Sequence, residues 1–204
     1  MGHYIRVLGT KDRNVPLKQF NDAFIAKKIP ISISTDGRKS DPWGEIALSH
    51  TDGTPICQIE RNPVTVGDLG AKEIEEFLDE MDNAKPQTAA MWLREFFGRV
   101  HVIYTIQIFS GAGKSFGWDA IDVVRNVIWK HVGGIMQADF EGFSNEDGYH
   151  ILWQFSDRAK GSWSMAVLDK QHRWQKFQMD LGNPEHRRAF LAGIVPAGVK
   201  WTLA

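Results

Sequence analysis

The order of apolar and polar residues divides the chain into alternating helical and extended segments. Leu17, Phe20 and Phe24 recur three and four apart behind Pro16, which suits a first helical position. Ala71, Ile74, Phe77, Leu78 and Met81 form one stripe, and Glu73, Glu75, Glu76, Asp79, Glu80 and Asp82 the other face. That spacing predicts an amphipathic helix over 71–81 with an acidic outer side. A third helix opens at Pro86 and aligns Ala89, Leu93, Phe96, Phe97 and Val100. A fourth, over 118–131, aligns Trp118, Ile121, Val124, Ile128 and His131. Asn183-Pro184 supplies an N-cap and first-turn pair for a fifth, which carries Phe190, Leu191 and Ile194, with Gly193 and Pro196 at its end.

Period-two alternation marks strands at 4–8, 31–35, 43–49, 55–60, 101–109, 135–143, 149–155, 163–169 and 174–180. Segment 101–109 is mostly apolar on both sides, the pattern of a central strand covered on both faces. Asp52-Gly53 and Asp147-Gly148 are hairpin-turn pairs. Laid end to end, the elements read β-α-β-β-β-α, a helix, then β-α-β-β-β-β-α. This order predicts an α+β fold of two similar units, each of the β-α-β-β-β-α type with antiparallel sheet and helices, packed as one compact body. Residues 1–85 form the first repeat, 86–100 a linking helix and 101–204 the second repeat. Asp22-Ala23 corresponds to Asp119-Ala120 in that alignment, and the helix 71–81 to 183–194.

Composition narrows the function classes. At 204 residues, 43% hydrophobic and 24% charged, the chain has the make-up of an ordinary globular domain, which excludes a disordered or collagen-like one. No apolar stretch approaches the ~20 residues of a membrane-crossing helix, and the clearest amphipathic helix is acidic, so no membrane partner is expected. The balance of 24 Lys and Arg against 25 Asp and Glu argues against a nucleic-acid partner. Met1–Arg6 has no basic stretch leading into an apolar run, and Arg6 stands where a myristoylation signal needs Ser or Thr. With one cysteine, Cys57, the expected compartment is the reducing cytoplasm.

Several motifs come close and fail on the residue that matters. Ser110-Gly111-Ala112-Gly113-Lys114-Ser115 stands between a strand and a helix, as a phosphate-cradling loop does. Ile108 occupies the position where such a loop needs its first glycine, and Phe116 the third glycine of a dinucleotide fingerprint. The segment reads as a strand-to-helix connection, and no nucleotide cofactor is expected. None of His3, His50, His101, His131, His150, His172 and His186 has the helical spacing of a zinc pair, so no metal is expected. Cys57 lies inside a strand, and a small buried hydrophobe is the better reading than a nucleophile paired with His50. No Gly-x-Ser-x-Gly elbow occurs. Phe143 and Ser144 break the calcium-loop pattern begun by Asp139 and Glu141.

One constellation remains. Tyr149, Ile151, Trp153 and Phe155 form one apolar face and Met136, Ala138 and Phe140 another. Burying both on one side of a 135–143/149–155 hairpin pairs Phe143 with Gly148 and sets Glu141 opposite His150, with Asp139 on the same face. Glu141, His150 and Asp139 then have the groups for general acid and base chemistry in a small hydrolase or isomerase. The plainer reading is a cross-strand charge pair on a wet face.

Charge is uneven along the sequence. Five acids and no Lys or Arg lie between His131 and Asp157, and seven basic residues lie between Arg158 and Arg188. Separation of this kind steers a charged partner. The sequence therefore points first to a non-enzymatic, immunity-type interaction protein. Its acidic face, Asp139, Glu141, Glu146, Asp147 and His150, would meet a protein with a basic surface. Two alternatives accompany it: the small hydrolase or isomerase, and a small-molecule binder with a pocket between the two halves.

Overall fold

A computed structural model describes residues 3–35 and 42–202. Its elements run β1 (His3–Gly9), α1 (Leu17–Lys27), β2 (Ile31–Thr35), β3 (Glu45–His50), β4 (Pro55–Pro63), α2 (Leu69–Glu80) and α3 (Gln87–Phe97). They continue with β5 (Val102–Ile108), a 3-10 turn (Ser110–Gly113), α4 (Gly117–Val132), β6 (Ile135–Ala138), β7 (Gly142–Phe143), β8 (Ser162–Leu168), β9 (Trp174–Asp180), α5 (Pro184–Leu191) and β10 (Lys200–Trp201). The fold is mixed α+β with antiparallel strand pairs, as the element order implies.

The chain forms two compact units, and their boundary does not follow the sequence halves. One unit joins the residues up to Ala71 with Val100–Gly134; the other joins Lys72–Arg99 with the residues from Ile135 onward. The expected division at 1–85, 86–100 and 101–204 is corrected accordingly. α3 is an integral part of the second unit rather than a link. α1 and α4, expected to be equivalent helices of two repeats, touch each other inside the first unit. The cause is β5. Its apolar run buries it on both faces, so its backbone groups need a hydrogen-bonding strand on each edge, and it takes β4 on one side and β1 on the other.

In the first unit the strands stand in the order β2-β3-β4-β5-β1. Val7, Ile46, Leu48, Cys57, Ile59, Tyr104 and Ile106 share the face that α1 and α4 cover, and all seven are buried. Phe20 of α1 packs on Trp43, and Trp43 packs edge-on against Tyr104 with ring centres 5.6 Å apart. The two polar atoms of this cluster are satisfied locally: Trp43 Nε1 donates to the Val15 carbonyl at 2.7 Å and the Tyr104 hydroxyl to the Arg13 carbonyl at 2.6 Å. A buried indole or phenol without such a partner would be costly. The opposite face is polar and half-buried. Glu45, Glu60, Thr105 and Arg6 align across it, and Gln58, Gln107 and Tyr4 form the next row.

In the second unit β10-β9-β8 form a small antiparallel sheet. Met165, Val167, Phe177, Met179, Leu181 and Phe190 build its core with Phe155. α5 starts as its sequence requires: the Asn183 side chain accepts from the amides of Glu185 and His186, and Pro184 fills a position whose amide would have no partner. Phe77, Phe97 and Phe143 form a separate aromatic cluster.

Candidate functional site

The segment singled out by the sequence folds differently from the expected hairpin. β6 turns back at once into β7, with Gln137 opposite Phe143 and Ala138 opposite Gly142, so the turn is Asp139-Phe140-Glu141. Residues 149–155 are not a strand. Their backbone groups are shared among several partners: the His150 amide donates to Ser164, Ile151 to Phe143, and Trp153 to Lys85, while the His150 carbonyl accepts from Ala166. Ile151 and Leu152 are adjacent and both buried, so burial here does not follow the alternation that the apolar faces suggested. Gly142 makes this crossing possible. A Cβ there would overlap the Leu152 carbonyl oxygen, and its φ of +106° is open to glycine.

The register argument fails, yet one contact it named is present. Ser144, not Glu141, bridges to His150. Glu141 Oε2 nonetheless lies 3.6 Å from His150 Nε2, an ion-pair distance beyond a hydrogen bond. The His150 side chain is 16% exposed, with the Trp163 ring edge-on at 4.9 Å and Phe155 at 5.4 Å. It is clamped among aromatics, and its backbone ties β8 to the loop before it. That environment suits a packing role better than proton transfer to a substrate.

The remaining acids divide. Asp147 is bound to Lys176 at 2.8 Å, and the ammonium of Lys176 lies over the Tyr149 ring. Asp157 meets Arg187 at 3.4 Å. Two acids of the acidic segment are thus matched by two bases of the basic segment, so charge separated along the sequence is partly reunited in space. Glu146 is exposed, and Asp139 opens the turn. Asn145, fully buried, holds the 145–149 loop by accepting from the amides of Asp147 and Tyr149.

Sequence reasoning missed the residue at the centre of the turn. Phe140 has a φ of +66° and is 65% exposed. A bulky side chain in the left-handed region is a true outlier, and the strand pairs on either side hold it there. The readable signal was an aromatic between two acids, followed at once by a glycine. The turn therefore presents a large apolar ring to solvent, flanked by Asp139 and Glu141.

The other candidates fall into structural roles. Gly111 and Gly117 are packed against backbone: a Cβ at Gly111 would overlap the Pro55 carbonyl and one at Gly117 the Ala112 carbonyl. Lys114 is engaged with Asp52 at 3.2 Å and with the Thr54 hydroxyl at 2.7 Å. Thr54 and Lys114 together hold the Asp52 carboxyl well below the usual carboxylate range. Cys57 is fully buried, and burial pushes its thiol up to about 12. His50 binds the Gly111 carbonyl through Nε2 at 2.9 Å. Among the described residues no group of three His, Cys, Asp or Glu is placed to hold a metal ion. No described helix is long and apolar enough to cross a membrane.

Each unit carries a surface cleft. One, of about 320 Å³, is lined by Gln19, Asp22, Val127, Lys130 and His131. The other, of about 290 Å³, lies beside α5 and includes Asp157, Arg187 and Arg188. Neither contains Glu141 or His150. Comparison of the chain with protein-family models, curated proteins and solved structures gives no match.

Proposed function

We propose that this is a non-enzymatic interaction protein that engages a basic protein partner through the β6–β7 turn of its second unit. The observation that carries the reading is Phe140, a large ring kept in solvent at a backbone conformation that disfavours it. Aromatic side chains, Phe among them, are enriched at protein interfaces relative to the rest of the surface. Asp139 and Glu141 beside it, with the exposed Glu146 in the loop after β7, supply the charge that favours a basic surface. The hydrolase or isomerase reading has less behind it, because His150 is packed between rings and its partner Glu141 is too distant for a hydrogen bond.

The test is affinity capture from the source cells with the wild-type protein and two variants, Phe140→Ala and Glu146→Lys. The expected result is a protein retained by the wild type, lost with Phe140→Ala, and weakened with Glu146→Lys and by added salt, while both variants melt as the wild type does. A captured set that is the same for all three proteins would overturn the proposal.

A further inference from the structure

The backbone of β2 has a consequence independent of the turn. β2 is an outer strand of the first unit's sheet, paired on one side with β3. The direction of its hydrogen-bonding groups follows from its neighbours. The Arg61 amide bonds the Gly44 carbonyl, and the Phe109 amide bonds the Ile56 carbonyl. Even-numbered residues of β3 therefore point their amides and carbonyls at β4, and odd-numbered ones point theirs at β2. Through the pairs Ser34 with Ala47 and Ser32 with Ser49, the groups of Ser32 and Ser34 are used. Those of Ile31 and Ile33 point away from the sheet, and no described residue bonds them.

Natural outer strands are blunted by charge, an internal proline or a bulge. Ile31–Thr35 has none of these; the register shift of this sheet lies between β3 and β4, at Leu48 and Ser49, where Ile56 of β4 is the extra residue. Ile31-Ser32-Ile33 also reads the same in both directions. Ile33 lies opposite Leu48, on the face that the helices cover, and the exposed Ser32 is on the other.

From this geometry we infer that β2 pairs with β2 of a second copy of the chain, antiparallel, about a two-fold axis through Ser32. In that register Ile31 of each copy exchanges both backbone bonds with Ile33 of the other, which forms four bonds and leaves neither residue's groups open. The isoleucines meet on the helix-covered face, and Ser32 meets its own counterpart on the polar face. An isologous contact of this kind closes as a dimer and does not propagate. The second copy is the fitting occupant because the strand is self-complementary in backbone, in apolar side chains and in the absence of charge.

Sedimentation equilibrium over a concentration series tests the inference, with Ser32→Lys and Ser32→Glu as variants. Ser32 is exposed, so both should keep the fold. At the two-fold axis each variant sets like charges directly opposite one another, the arrangement that destabilises a strand pair. The wild type is expected to show a concentration-dependent dimer, each variant alone a monomer, and an equimolar mixture of the two a dimer again. A wild type that stays monomeric throughout the series overturns the inference. So does a variant that dimerises as the wild type does, or a mixture that fails to recover.

Discussion

At the scale of a single residue, two opposing terms set what Phe140 contributes to stability. Its left-handed backbone costs about 1–2 kcal/mol against an extended one. Burial of a third of its side chain returns roughly 0.5–1 kcal/mol. Phe140→Gly removes both effects, so its unfolding free energy in denaturant is expected within about 1 kcal/mol of wild type; a loss of several kcal/mol would show the ring to be structural. Asp52 behaves differently. Its carboxyl is held below the ordinary value in the folded state by Thr54 and Lys114. A lowered folded value contributes stability that is fully present above the unfolded value of about 3.9 and is lost as pH falls toward the folded one. Asp52→Asn is therefore expected to melt below the wild type at pH 7, with the gap closing below about pH 4. A gap unchanged down to pH 2 would contradict the assignment. Cys57, with its thiol pushed up to about 12, is expected to resist thiol reagents at pH 8 until the protein is unfolded.

At the scale of elements, the glycine loop after β5 yields a paired comparison. Gly111→Ala forces a methyl group onto the Pro55 carbonyl, whereas the same change at Gly113 meets open space. The first is expected to cost about 1–3 kcal/mol and the second less than about 0.5 kcal/mol, measured by denaturant unfolding. Equal costs would mean that the loop is not held by that close approach. Most elements were legible because their burial is periodic. Phe20 and Phe24 fixed α1, Phe96 and Phe97 fixed α3, and the alternation in 174–180 fixed β9. Residues 149–155 were not legible, because Tyr149, Ile151, Trp153 and Phe155 mimic a strand while the segment's backbone bonds go to β7, to β8 and to Lys85. The close contact of Glu141 with His150 was foreseen for a reason that does not hold. It arises from the crossing of 149–155 past Gly142 rather than from strand register.

For the whole molecule, sequence order misled where distant segments combine. The charge blocks before and after Arg158 suggested two faces of opposite sign, yet Asp147 with Lys176 and Asp157 with Arg187 join them. The two repeats read along the chain gave way to units that interleave, because β5 and α4 complete the sheet and helix layer begun by β1 to β4 and α1. The surface proposed for a partner is the turn Asp139-Phe140-Glu141. The most direct test of that claim is the association rate of the captured partner with wild type and with a Glu146→Lys, Asp139→Lys double variant, at low and at high salt. Steering by the summed field predicts a wild-type rate that falls steeply with salt and a double variant that is slow and insensitive to salt, with folding preserved by circular dichroism. Equal rates for the two proteins at low salt would contradict the account.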